Sequence, residues 1–475
     1  MISMTRQQQP MDQFLDENRE GLEKTLARLI ALPSVREEPQ PGKPYGENCR
    51  LVLEEAESIA REMGFRVRNF DNYCLEAELP GHAPEGAVTI SFFGHLDVVP
   101  AGEGWNHPPF EATRSGEYII GRGAVDDKGP AAALLYALKY LGDAGSLRNS
   151  RVKVVLGCNE EDGMDDMEYY LARVEPPEIA LVADDDFPVC HGEKGSLRLE
   201  LSLPLESGLI RRFEGGSSPT SVPGAARLEL RGEFGGIADR GGPEDVTVCP
   251  AGDGILLEAA GISAHSSAPH TGRNALALLT AFAKERGLFP SADRRVLEVL
   301  HALLSDDRGR NAGIDCADDF SGALTCCGTM LRMEESHIVL SLDIRYPVTD
   351  RAERITGILA DLIRPAGGTL RIVSSSPPAL VEPDSPLVRK LTDLYNGMTG
   401  SCTVPYTMAG GTYARKIPGA FGFGAGNPEE IKPFGDGYGA AHGPDEAVSL
   451  VTLEQAVRVY AEALMMLDRE ARTGR

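Results

Sequence analysis

Four stretches cluster His, Asp and Glu side chains beside apolar runs: Gly94-His95-Leu96-Asp97, Ala124-Val125-Asp126-Asp127, Cys158-Asn159-Glu160-Glu161-Asp162 and Ala183-Asp184-Asp185-Asp186. His95 and Asp97 are two apart, so on an extended segment they point the same way. An aspartate placed there can accept one imidazole N–H and leave the other ring nitrogen for a metal. Each stretch also has a plain reading. His95 can pack or cap, Asp126 and Asp127 can cap the helix that follows, and Glu160 to Asp166 can be a solvated acidic loop. Acidic runs at strand ends become more telling when several meet, because a divalent cation screens their mutual repulsion. Mixed imidazole and carboxylate donors without thiolate suit Zn2+ first, with Mn2+ or Co2+ as alternatives. A carboxylate shared by two ions would hold them ~3.5–4 Å apart, the spacing of two-metal hydrolases.

The elements that must position these residues follow from the apolar periodicity. Val88–Phe93, Val152–Leu156 and Ile179–Val182 are too short for helices and fit buried strands. Amphipathic spacing predicts helices over Asp12–Ala31 and Leu51–Met63, and an Ala/Leu-rich one over Pro130–Leu141. Alternation of strand and helix implies an α/β catalytic domain with a mainly parallel central sheet and helices on both faces. Function gathers at the C-terminal strand ends of such sheets, so the three acidic clusters and His95 would converge on one rim. After about Gly195 the style changes. Leu197–Leu203, Ala226–Phe234, Gly254–Ile262, His337–Tyr346 and Thr369–Ser374 read as strands, Asn274–Arg286 and Arg351–Ile363 as helices. This is an α+β insert. The expected division is 1–195 and 385–475 for the catalytic domain, with 196–384 inserted. Pro386–Gly397, Ala420–Phe423 and Leu453–Leu467 would complete the catalytic domain.

The chain has 475 residues, 71 Asp plus Glu against 47 Lys plus Arg, and a formal net charge of −24. That excess speaks against nucleic acid or an anionic membrane as partner, since both need a basic surface. Nine cysteines without a CxxC pair fit reduced thiols in a cytoplasmic protein. Met1–Pro10 lacks the apolar core of a signal peptide, and no apolar run approaches a membrane span.

Seven motifs together resemble the M20 metallopeptidase family: GHLDVVP, GRGAVDDKGP, NEEDG, ADDDFPVCHGEKG, GISAHSSAP, MAGGTYAR and AHGPDE. More narrowly they are similar to the PepV-like bacterial dipeptidases. They run from His95 to His442 in the family's order. The resemblance implies that His95 and Asp184 hold one metal, that Glu161 and His442 hold the other, and that Asp126 bridges them beside a cis Asp126–Asp127 peptide. Alignment on Phe187-Pro188 selects Asp184, with Asp185 and Asp186 as alternatives. Asp97 would orient His95, and Glu160 would act as general base, passing a proton from the attacking water to the leaving amine. His265 would stabilise the tetrahedral oxyanion. Arg345 would grip the substrate carboxylate or support the oxyanion. Gly410, Gly411, Thr412 and Arg415 would line the substrate, the glycines letting backbone N–H groups approach an anion. Ala409 stands where PepV-like members usually have a third glycine.

By the same resemblance the insert is an enlarged, ferredoxin-like lid that supplies His265 in cis. A monomer is then expected to be active, with a dimer as the alternative. The expected substrate is a small peptide, cleaved by a dipeptidase. An N-acyl amino acid amidohydrolase of the same fold is the second reading, and a non-catalytic metal-binding protein the third.

Overall fold

The computed structural model describes residues 8–80, 83–84, 86–234, 245–430, 432–435 and 437–471. Most of the polar Met1–Pro10 stretch thus lies outside the described residues. The chain forms two compact units. One comprises residues up to His191, Val381–Tyr406 and Gly411 onward; the other comprises Gly192–Leu380 and Thr407–Gly410.

The first unit is built on a mixed sheet. Its strands run in the order Arg66–Phe70, Cys74–Glu78, Ser150–Gly157, Val88–His95, Ile179–Val182, Phe421–Gly422 and then Cys190–Glu193. The four from Ser150–Gly157 to Phe421–Gly422 are mutually parallel, and the flanking pairs are antiparallel. Side chains alternate between faces along each strand. Ile90, Phe92, Val152, Val154, Leu156 and Leu181 enter a core with the long helices Gln8–Ile30, Glu47–Glu62, Lys128–Ala144, Pro386–Thr399 and Leu450–Ala471. Phe93, Val155, Ala180 and Val182 enter another with the short helix Asp165–Leu171 and Tyr413. Helix Lys128–Ala144 is buried from Lys128 to Leu141 except at Lys139. That explains its Ala and Gly content: a Cβ on Gly129 would stand 2.2 Å from the Ala124 carbonyl oxygen.

The second unit is an eight-stranded sheet with helices. Its order is Val246–Ala251, Gly254–Ala260, Ala225–Arg231, Ile210–Gly215, Thr325–Glu334, His337–Tyr346, Gly195–Pro204 and Thr369–Ser376. Every neighbouring pair is antiparallel. Two groups of four strands join through the single pairing Gly215↔Leu331. Helices Ala275–Glu285, Arg294–Leu304 and Ala352–Ile363 share its apolar core. The architecture is therefore α/β with an inserted β-rich domain. No helix among the described residues is long and apolar enough to cross a membrane.

Candidate metal centre

Strand register positions the site. His95 pairs with Gly157 on one side, and Phe93 with Val182 on the other. The three parallel strands therefore end level, and the segments His95–Asp97, Cys158–Glu161 and Ala183–Asp184 leave from one rim. Two backbone bonds extend the alignment past the strand ends: Leu96 N–H to the Gly157 carbonyl at 3.0 Å and Ala183 N–H to the Phe93 carbonyl at 2.8 Å. Asp126, from the segment before helix Lys128–Ala144, and His442, before Ala447–Ser449, reach the same place.

The carboxylate of Asp126 faces two imidazoles at once. Its Oδ1 is 2.9 Å from His95 Nε2, and its Oδ2 is 2.9 Å from His442 Nε2. His95 Nε2 is also 3.6 Å from Asp184 Oδ2, and His442 Nε2 is 3.0 Å from Glu161 Oε1. Ligand atoms around one tetrahedral ion at 2.0–2.1 Å are roughly 3.3 Å apart, so these separations suit shared ions. Donor atoms of His95, Glu160 and Asp184, and of His95, Asp126 and Glu161, form two groups each within 4.8 Å. Distance alone therefore admits Glu160 as a further donor. It is buried, and its Oε1 has no hydrogen-bond partner.

The electrostatics call for added positive charge. Burial pushes Glu160 well above the usual carboxylate range, and burial with Asp126 pushes Glu161 up to about 7. Burial and Asp126 likewise raise Asp184. Complete burial favours a neutral ring at His95, but the carboxylates of Asp126, Asp184 and Asp97 outweigh it and hold its pKa high. Hydrogen bonds to Asp126 and Glu161 raise His442 to about 10. Burial opposes ionisation of Asp126, yet the two imidazoles keep it below its ordinary value. Nearby side-chain cations are otherwise engaged: Arg122 by Glu446, and Lys128 Nζ by the Leu32 carbonyl at 2.8 Å. Protons thus substitute for cations among these groups, and a pair of divalent ions fits the donor set.

Supporting contacts refine several expectations. The peptide Asp126–Asp127 is cis. Asp127 occupies the N-cap position of helix Lys128–Ala144, but its side chain makes no capping bond. It accepts the His95 backbone N–H instead, at 2.9 Å. A Cβ on Gly94 would lie 2.5 Å from that oxygen. Asp97 meets His95 chiefly through its backbone carbonyl, 3.0 Å from Nδ1, with Oδ1 at 3.4 Å. Its carboxylate accepts the consecutive amides of Glu160 (3.2 Å) and Glu161 (3.1 Å). Both glutamates can face the rim because one anion gathers both N–H groups. Behind them, buried Asp166 accepts from the amides of Cys158 and Asn159 and from Tyr413 Oη. Sequence reasoning gave neither Asp166 nor Tyr413 a role of its own, although both lay inside quoted stretches. Arg122 and Glu446 lay inside quoted motifs, GRGAVDDKGP and AHGPDE, but received no role.

His265 is exposed in the second unit, on the segment after strand Gly254–Ala260. Its Nδ1 is 2.7 Å from Ser267 Oγ and accepts the Ser267 backbone N–H at 3.2 Å. Arg345 is buried in the same unit, with Nη2 3.2 Å from Asp343 Oδ2 and Nη1 3.5 Å from the Ala409 carbonyl. Asp343 also accepts Ser266 Oγ at 2.5 Å. Thr412 Oγ1 caps the turn Tyr413–Arg415. A Cβ on Gly411 would lie 2.1 Å from Arg415 Cζ, so its open face accommodates that guanidinium.

Residues 92–466 match the family described as Peptidase family M20/M25/M40. The Bacillus subtilis (strain 168) protein named "Putative dipeptidase YtjP" is 30% identical over 472 residues, covering 95% of this chain and 98% of that protein. Among solved structures, the di-peptidase Dug1p of Saccharomyces cerevisiae superposes with a TM-score of 0.60 at 11% identity, covering 98% of this chain and 99% of that one. Human carnosine dipeptidase 1 gives 0.56 at 13% identity, covering 97% and 99%. At such identities these two likenesses speak for the fold alone.

Proposed function

The chain belongs to peptidase family M20/M25/M40, and from that membership we propose that this metallopeptidase is a dipeptidase of the PepV-like kind, cleaving the peptide bond of small peptides. The observation that carries this reading is the position of Asp126, one oxygen toward each imidazole. The dipeptidase name of the Bacillus subtilis relative supports the substrate class.

In this reading His95 and Asp184 would hold one ion and Glu161 and His442 the other, with Asp126 a donor to both. Two divalent ions, Zn2+ first, would supply Lewis acidity there, lowering the pKa of water toward about 7 and polarising the scissile carbonyl. Glu160, with an unpartnered buried oxygen beside these donors, takes the proton of the attacking water and returns it to the leaving amine. Asp97 keeps Glu160 and Glu161 turned to the rim through their amides. His265 serves as the lid's oxyanion donor in cis. With Nδ1 turned to Ser267, Nε2 is the ring atom that would donate. Arg345 and Arg415 are the candidates for the substrate carboxylate, with Gly410, Gly411 and Thr412 beside them. The ferredoxin-like lid formed by the insert makes a monomer sufficient. Nine cysteines, none of them in a disulfide, suit a cytoplasmic protein.

The test is a panel of dipeptides and N-acyl amino acids, assayed after chelation and readdition of Zn2+, Mn2+ or Co2+. Metal-restored hydrolysis of dipeptides is expected. Turnover confined to N-acyl amino acids would replace the reading with the amidohydrolase one. For the lid, mixing His265→Ala with Glu160→Ala protein should leave activity lost, and recovery would refute action in cis.

A further inference from the structure

Arg122 is 1% exposed and Glu446 0%, and they pair at 2.6 Å. Burying such a pair is costly unless both partners are well bonded, and removing one partner strands the other charge. Here the bonding is directed at the metal-bearing segments. Glu446 Oε1 accepts the amides of Val125 (2.8 Å) and Asp126 (3.0 Å). Its Oε2 accepts Arg122 Nη1 and the Gly123 amide at 3.1 Å. The segment from Arg122 to Asp126 is thus wrapped around one carboxylate. Gly123, at φ +86°, permits that turn. Arg122 Nη2 donates to the carbonyls of His442 (3.1 Å), Ala101 (3.1 Å) and Pro100 (3.4 Å). The Trp105 ring lies 5.2 Å from the guanidinium carbon.

These bonds are one-sided. They reach Asp126 through its amide and His442 through its carbonyl, and none goes to His95, Asp184, Glu160 or Glu161. The His95 side has its own supports in Asp97 and Asp127. His442 needs the help more. It stands at φ +62°, a conformation most side chains avoid, and its side chain is 50% exposed.

We infer that the Arg122–Glu446 pair is a latch that positions His442 and the backbone of Asp126, and so weighs most on the ion on the His442 side. Both are positioning residues. The inference rests on the two-ion reading of the site.

The test measures Zn2+ binding to metal-free protein by equilibrium dialysis and calorimetry, with no peptide present. Unmutated protein should take two ions per chain. Arg122→Lys keeps the charge but loses the fork that reaches three carbonyls. It should weaken one binding step by roughly 10- to 100-fold while the other ion stays bound. Glu446→Gln should do the same in milder form. A double-mutant cycle locates the effect. Adding His442→Ala to Arg122→Lys should cause little further loss, whereas adding Asp184→Asn should remove the remaining ion. Thermal unfolding of the metal-free variants is followed by circular dichroism. Equal weakening of both steps, no weakening of either, or collapse of the metal-free fold in both single variants would overturn the latch. A chain that binds fewer than two ions without mutation would instead sink the reading beneath it. Failure to cleave dipeptides would leave this result untouched.

Discussion

The two imidazoles of the centre are held by opposite means. His95 ends a buried parallel strand, is 0% exposed, and is fixed at both backbone and ring, its N–H donating to Asp127 and its Nδ1 facing the Asp97 carbonyl. His442 sits outside regular structure, half exposed, and is tied through its carbonyl to a buried arginine. Sheet register positions the first almost automatically. The second depends on a long-range polar contact that must be assembled from distant parts of the chain. A ligand on a loop can equal one on a strand only if something buried holds the loop.

Replacing the ligands themselves breaks this comparison most severely. His95→Ala should abolish turnover and lower metal content more than His442→Ala, which should leave one ion bound. Elemental analysis of dialysed protein reads the difference, and equal losses would contradict the asymmetry. Next comes Glu160→Gln, which should cut kcat by about 10²- to 10⁴-fold with both ions retained. Loss of an ion in that variant would reclassify Glu160 as a ligand, which its distance to His95 and Asp184 allows. Asp97→Asn is smaller again. An amide cannot accept both glutamate N–H groups equally, so metal affinity should fall by about 10- to 100-fold. Titration of the metal-free variant would show it.

The smallest expected effect is a control at the far end of the strand Ser150–Gly157. Asp468 accepts the amides of Arg148, Asn149 and Ser150 and the Ser150 hydroxyl. Burial opposes its ionisation, but these donors hold its pKa below the usual value. A depressed folded-state pKa contributes stability above the unfolded value of about 3.9, and that stability is lost as pH falls through the folded value. Asp468→Asn should cost about 1 kcal/mol at neutral pH and flatten this acid dependence in urea unfolding, without changing metal content.

Legibility in the sequence follows the same division. The apolar runs Val88–Phe93, Val152–Leu156 and Ile179–Val182 announce the parallel strands, because strands buried on both faces need continuous hydrophobicity. The rim carrying His95 could therefore be reasoned out. Arg66–Phe70, Ile210–Gly215 and Val246–Ala251 were not legible, since their pairing is set by neighbours and their side chains are largely polar or exposed. Helix Arg294–Leu304 was legible in its Val296, Leu297, Leu300, Leu303 and Leu304 spacing, yet the sequence reading passed over it. Asp126 and Glu161 came into view through their motifs alone, because spacing by itself equally allows a helix cap and a solvated loop. Asp97's grip on two successive amides, and the Arg122–Glu446 pair, have no periodic signature at all.

The sharing of Asp126 is the central claim, and anomalous diffraction from Zn2+-loaded crystals, collected at the zinc edge, tests it most directly. The account predicts two peaks per chain, each within about 2.0–2.2 Å of a different Asp126 oxygen. A single peak, or two peaks of which only one touches Asp126, would contradict it.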